Sequence, residues 1–457
     1  MESPSATLGA ASLTWGLTRR VEGPSDADRL TLARGPAPLV SESAWRDPSI
    51  GWGLVLPENT ALDEKERATA VDAPAAIQDL VRSRGDAPVF RYRADHQSGF
   101  LRRYFTDGGY QDPSLTGTDS GVKRGQLPRY LLIYASPAQV PWRFQYVANS
   151  SLYVGRLWLE GEALANYVRA LIADWGDASS NPSAPVVWSV SLGEPDITWL
   201  MDAIISRKLS ESFAHGDLKD GEACFNEEAT ASNLRATLAK HTPSLVVTTS
   251  HGMTGPLGDA GRMRADLGLL MDVDHTLVRA DALLDGWMPN GAIWYAHACC
   301  SAGSDARSRY ANLLDAASSV SSVLSGVAVA CGDQIAPLPT ALLGAKRPLR
   351  AFVGHVEPTF DWTLRNPETS QPLAHAIVHA LYDRLYQQGA RMTLGHALAT
   401  VYAEAGGFLT QYNAALDAVN RNEPSARERA LYRQLVAMDR QQMVILGDPT
   451  VMLPPLM

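Results

Sequence analysis

The sequence predicts an α/β fold in which a mostly parallel sheet is covered by helices on both faces, preceded by an accessory region. Three observations lead there. Short apolar runs without polar alternation recur from residue 126 onward, as in strands buried on both faces. Stretches of helical periodicity separate them, the pattern of βαβ units. Residues 1–125 differ in texture: they are rich in Gly, Pro, Ser, Asp and Arg, with scattered tryptophans (Trp15, Trp45, Trp52) and little periodicity. They read as an accessory region of short strands and loops, and 126–457 as the main domain, divisible into 126–180 and 181–457.

Taken in order, PRYLLIYAS (128–136) and SLYVGRLWL (151–159) read as strands, followed by a helix from Glu160 to Trp175. DWGDASSNPSAP (174–185) is a linker by its Gly, Ser, Asn and Pro content. VVWSVSL (186–192) is the next strand, with helices near 197–213 and 231–240 leading to the strand LVVTTS (245–250). GAIWYAHA (291–298), a helix near 306–324 and a strand GVAVACG (326–332) continue the series.

Composition bounds the function. The chain has 457 residues, 46% of them apolar and 19% charged, as in a globular protein with a sizeable core. A net charge of −9 argues against non-specific nucleic-acid binding. Four cysteines (Cys224, Cys299, Cys300, Cys331) form no disulfide framework and suggest free thiols. The N-terminal MESPSATLGAASLTWGLTRR lacks a signal-peptide pattern, and no run of about 18 apolar residues suggests a membrane span. A cytoplasmic protein without membrane attachment is expected.

Two phrases carry the chemistry. LVVTTSHGMTG (245–255) ends an apolar run at Ser250-His251-Gly252, and WYAHACCSAGSD (294–305) ends another at paired cysteines. In a parallel sheet, reactive groups gather at the carboxyl ends of strands. A thiol attacks as thiolate and needs a base, a task suited to histidine. His251 with a cysteine from the second phrase is the candidate dyad. Gly252 lets substrate backbone approach the imidazole, and N–H groups near Gly252 and the cysteine turn are candidate oxyanion donors. His251 precedes Cys299 by 48 residues, close to the spacing of about 50 seen in caspases.

The resemblance extends further. FQYVANSSLYVGRLWL, SHGMTGPLGD, ACCSAG, FVGHVEPTFDW (352–362) and VILGDPTVMLP (444–454) stand in the order of similar elements in caspase-like cysteine peptidases of clan CD, in the bacterial CHAT and gingipain-like branch. The resemblance spans roughly residues 126–457. It implies a caspase-type sheet and peptide-bond cleavage by a Cys-His dyad, with His251 as the histidine and Cys299, preceded by alanine, as the nucleophile. Counting back from Gly303 selects Cys300 instead, and this alternative stays open. The resemblance also implies a protein substrate, no cofactor or metal, and a bacterial proteolytic cascade of defence or cell death with an upstream activating protease or regulatory protein. Cleavage after a basic residue would need an acidic pocket floor, for which Asp196 in LGEPDITW and Asp333 in ACGDQ are candidates. Capping a helix is the ordinary role for either. A catalytically silent caspase-like scaffold is the alternative.

Other conspicuous residues read as structural. Cys331 belongs to an apolar run, His297 alternates away from the cysteines, and Asp448 in LGDP is a turn residue. His355 in GHVEP holds a sheet edge or a loop. His375 and His379 lie four apart on a helix, without the intervening glutamate or third ligand of a zinc site. Segment 255–275, with Arg262 and Arg264, is a long loop or hairpin bordering the site, either a lid, a processing site or an ordinary solvated loop.

Overall fold

A computed structural model describes residues 40–96, 99–216, 218, 220–386 and 391–456. The chain divides into Met1–Ser41 and a compact unit, Glu42–Met457. Trp15 and the N-terminal stretch expected to lack a signal peptide lie outside the described residues.

Ten strands form one sheet: β1 (Trp52–Pro57), β2 (Val89–Tyr92), β3 (Tyr130–Tyr134), β4 (Tyr153–Leu157), β5 (Val186–Ser189), β6 (Glu222–Phe225), β7 (Leu245–Thr249), β8 (Ile293–His297), β9 (Ala351–His355) and β10 (Met443–Gly447). Their spatial order is β2-β1-β3-β4-β10-β9-β8-β7-β5-β6. Strands β5 to β9 run parallel to their neighbours among themselves, and β10 runs antiparallel to β9. Every residue of β3, β4, β7, β8, β9 and β10 is buried. That uniform burial is why these strands read as continuous apolar runs, and it requires cover on both faces.

Within the core, Trp294 of β8 stacks on Phe352 of β9 with ring centroids 6.3 Å apart. Its indole N–H donates to Thr248 Oγ1 of β7 at 2.9 Å. One side chain thereby couples three strands, and burying a ring such as Phe352 contributes about 2–3 kcal/mol.

The sheet crosses the boundary expected at residue 125. β1 and β2 lie before it, and β1 pairs in parallel with β3. The indole N–H of Trp52 donates to Asp448 Oδ2 at 2.9 Å, tying β1 to the turn after β10.

One predicted strand is absent. GVAVACG continues the helix Ser319–Cys331, capped by the Ser318 side chain accepting from the Ser321 N–H. Leu324, Val327, Ala330 and Cys331 are its buried face, a helical spacing, whereas Val329 is 85% exposed. The helix expected near 306–324 starts late because Asp315 and Ser318 bind local backbone groups in turns before Ser319. Segment 255–275 is not all loop: it contains the helix Ala260–Asp266. Among the described residues no helix is long and apolar enough to cross a membrane.

Candidate active site at the carboxyl ends of two neighbouring strands

β7 and β8 are adjacent and parallel, with Thr249 paired to His297. His251 and Cys299 each lie two residues past their strand ends, so the topology brings both phrases to one sheet edge. The approach is close at the backbone. A Cβ placed on Gly252 would stand 2.0 Å from the Cys299 carbonyl oxygen and 2.8 Å from its nitrogen. Only hydrogen fits there.

The segment after His251 folds back on it. The Met253 N–H donates to the Leu269 carbonyl at 2.9 Å, and the Met271 N–H to the His251 carbonyl at 3.0 Å. Gly268, at φ +66°, presses on the turn from this returning segment: a Cβ there would meet the Cys300 carbonyl oxygen at 2.0 Å. Two glycines thus clamp the cysteine turn. Arg264 in this segment is tied to the Ala330 carbonyl at 2.5 Å, and Arg262 lies 3.5 Å from Asp266.

The two cysteines have different surroundings. Cys299 keeps partial exposure. Cys300, at φ +53°, is fully buried among Met263, Leu267, Val327, Ala330 and Cys331. Burial pushes the Cys300 thiol well up. The Cys299 thiol is pushed up to about 11, chiefly by burial of the sulfur, with the Thr359 and then the Gly252 backbone acting in the opposite direction. Its sulfur donates to the Thr359 carbonyl at 3.6 Å.

His251 is held from a third strand. Asp196, beyond the end of β5, places Oδ2 2.9 Å from His251 Nε2. Its Oδ1 accepts from the Thr198 N–H at 2.9 Å and the Thr198 hydroxyl at 2.5 Å, capping the helix Ile197–Met201. Burial raises the Asp196 carboxyl, but the Thr198 bonds and His251 outweigh it and hold it below the ordinary value. With Nε2 engaged by a carboxylate, Nδ1 is the ring nitrogen left to exchange a proton. The His251 and Asp196 side chains are 30% and 31% exposed, so the pair is open to solvent. No hydrogen bond joins His251 to Cys299: each has its own partner, Asp196 for the ring and Thr359 for the thiol.

The structure places Asp196 against the histidine, with both oxygens engaged. Asp333 is exposed and accepts from the Ala306 N–H at 2.9 Å, a turn contact beside the short strand pair Gly303–Ser304 and Gln334–Ile335. It is not joined to His251, Asp196 or Cys299 by any of these bonds.

The sequence did not reveal how the loop after β9 supports the turn, although FVGHVEPTFDW marked it as unusual. The Cys300 N–H donates to the Glu357 carbonyl at 3.3 Å, and the Ala302 N–H to the His355 carbonyl at 2.8 Å. The Glu357 carboxylate accepts from Ser308 Oγ at 2.5 Å, the Arg309 N–H at 3.0 Å and Gln442 Nε2 at 3.0 Å. Burial raises its pKa to about 7. His297 is fully buried, bonded to Tyr295 Oη at 2.8 Å and set edge-on to the His355 ring at 4.7 Å. Among the described residues no cluster of three or more His, Cys, Asp or Glu could hold a metal ion.

No protein family model and no curated protein matches this chain. Among solved structures, one described as "Structure of Protease" is similar at a TM-score of 0.46 and 10% identity, covering 88% of this chain and 78% of its own. The Saccharomyces cerevisiae separase–securin complex is similar at a TM-score of 0.36 and 12% identity, over 72% of this chain and 16% of the other. The chain thus spans a small part of the separase-complex chain.

Proposed function

We propose that the protein is a caspase-like cysteine peptidase that cleaves protein substrates through Cys299 and His251, with Asp196 orienting the histidine. The observation that carries this reading is the Asp196–His251 pair, 2.9 Å apart, on the strand end whose next residue, Gly252, packs on the Cys299 backbone. A carboxylate on one ring nitrogen fixes the tautomer and stabilises the imidazolium that forms when the other nitrogen takes a proton.

In this mechanism, His251 Nδ1 removes the Cys299 proton as the sulfur attacks the scissile carbonyl. The S–C bond forms, the carbonyl oxygen becomes an oxyanion near the backbone N–H groups of Gly252 and Cys299, and the C–N bond breaks as the imidazolium protonates the leaving amine. Water, deprotonated by the same imidazole, then hydrolyses the thioester and regenerates the thiol. Cys299 is favoured over Cys300 because Cys300 is sealed in an apolar cluster, whereas Cys299 lies outside it and is only partly buried as a residue. A role in a bacterial defence or cell-death cascade, activation by a partner protease and the CHAT or gingipain-like branch belong to this proposal through the sequence resemblance. The preference for a basic residue keeps Asp196 and Asp333 as its candidates, Asp196 being also bonded to His251 and Thr198.

A silent scaffold is the rival. It is favoured by the resting thiol, pushed up to about 11 and bonded to Thr359 rather than to His251. Cleavage of a peptide library by the wild type, Cys299→Ala, Cys300→Ala and His251→Ala decides between them. Cutting that disappears with Cys299→Ala and His251→Ala supports the peptidase. A wild type that cuts nothing, with Cys299 alkylated at the same slow rate in His251→Ala, supports the scaffold.

A further inference from the structure

Arg350 immediately precedes β9, so it lies at the amino edge of the parallel strands, opposite the edge carrying His251 and Cys299 and roughly 17 Å of strand away. Beside it is a cavity of about 140 Å³ lined in part by Arg46, Arg84, Arg350 and Arg391 and by Trp45 and Trp175. Four guanidiniums around so small a space are unusual in a chain of net charge −9.

Their charge is only half compensated. Arg46 lies 3.3 Å from Asp174, and Arg84 lies 3.5 Å from Asp448. Arg350 and Arg391 form no ion pair with a carboxylate among the described residues. Backbone carbonyls position both: Arg350 Nη1 donates to Met452, and Arg391 Nε and Nη2 donate to Leu453 at 3.1 and 3.0 Å.

Three buried donors on residues that line the cavity have no hydrogen-bond partner: Arg84 Nη1, Arg350 Nε and the Trp175 indole N–H. Arg350 is 5% exposed and Trp175 6%; the Arg84 side chain is 5% exposed. Folded proteins satisfy nearly all such groups, because a buried donor left without an acceptor keeps its desolvation cost. Burial, and next the charge of Arg391, lower the Arg350 pKa to about 10, the environment an anion would relieve.

We propose that this cavity binds a phosphate group, at a site separate from the candidate active site. The donors are N–H groups, as an oxyanion requires, and guanidinium forks match phosphate oxygens in pairs. Two guanidiniums without an ion-pair partner correspond to a phosphate monoester, which carries about −1.5 to −2 at neutral pH, whereas a carboxylate would neutralise only one. A cavity near 150 Å³ accommodates a molecule about the size of benzene, so the space suits one phosphate. Trp175 also borders a wider cavity of about 490 Å³ lined in part by Arg169, Lys346 and Arg347, with room for the body of an organic phosphate.

The test is thermal unfolding and calorimetric titration of the full chain with sodium phosphate, against sodium chloride at matched ionic strength, and with AMP. Binding of either raises the unfolding midpoint saturably. Arg350→Gln and Arg391→Gln each weaken that binding tenfold or more; the exposed Arg391 gives the decisive variant if Arg350→Gln fails to fold. AMP binding at least tenfold tighter than phosphate, with the same Arg391 dependence, assigns the group to an organic phosphate. Equal or weaker AMP binding assigns the site to free phosphate. No saturable response to either compound, or a response that Arg391→Gln leaves unchanged, overturns the proposal.

Discussion

Asp196 Oδ2 and His251 Nε2 meet at 2.9 Å although 55 residues separate them in sequence. The contact joins the ends of β5 and β7, which are neighbours in the sheet. The same carboxylate caps the helix that follows it, so its position is fixed by the backbone as well as by the histidine.

Asp196→Asn keeps the cap, because asparagine is an equally good N-cap, but replaces the negative partner of His251. Peptide hydrolysis is expected to lose about 100-fold in kcat with little change in KM, within the range for impaired proton transfer. An Asn variant with unchanged kcat would remove Asp196 from the mechanism. Circular dichroism checks that the helix survives.

Cys299 and Cys300 are expected to separate by substitution. Cys299→Ala abolishes cleavage and leaves the unfolding midpoint nearly unchanged. Cys300→Ala leaves a hole in the cluster around Met263 and Leu267 and lowers stability by about 1–2 kcal/mol while Cys299 still alkylates, as read by melting curves and mass mapping of iodoacetamide adducts. Loss of cleavage in a folded Cys300→Ala protein would move the nucleophile to Cys300.

For resting Cys299, a thiol pushed up to about 11 means that the thiolate is a minor species at neutral pH. Its fraction rises about tenfold per pH unit below the pKa. The alkylation rate at Cys299 is therefore expected to climb steeply from pH 7 to 9. A rate already level above pH 7 would mean that the thiolate exists before substrate binds.

Gly252→Ala forces a methyl into the Cys299 carbonyl, where no side chain can yield. A loss of about 2–3 kcal/mol is expected from overpacking, together with loss of cleavage. Gly258 has open space around its missing Cβ, so Gly258→Ala is the silent control. Equal melting of the two variants would contradict the clamp.

Glu357 gives a pH dependence of stability. Burial raises its folded value to about 7, above the unfolded 4.5, so the folded state binds the extra proton in this window. The stabilisation is full below about pH 4.5 and is lost as pH rises through 7, by roughly 3 kcal/mol at most. Glu357→Gln, with its amide nitrogen toward the Ser308 hydroxyl, is expected to flatten the fall in unfolding midpoint between pH 5 and 8. An identical fall in the variant would assign it to other groups.

The central strands were legible because burial on both faces leaves an unbroken apolar signature: IWYAH and LVVTT contain no charged side chain. Strand ends then located His251 and Cys299. Other strands were concealed by charge. β2 carries Arg91, fully buried against both oxygens of Asp72 at 2.9 Å, and β6 opens on Glu222, which pairs with Lys240. GVAVACG misled because an Ala/Val run has no period of its own; the cap at Ser318 decides it. The partnership of Asp196 with His251 is tertiary, and its sequence signal was only a position beyond a strand end. Cys300 was distinguished by packing from Met263 and Leu267, on a segment the sequence presented as a loop.

The strand Met443–Gly447 follows the other nine in sequence yet lies between β4 and β9. A ribosome making this protein must reach Gly447 before the four-stranded and five-stranded portions acquire their shared partner. Until then each nascent portion presents an open hydrogen-bonding edge, the kind of surface that invites misassociation, and chaperone cover during late synthesis would meet a need created by chain order alone.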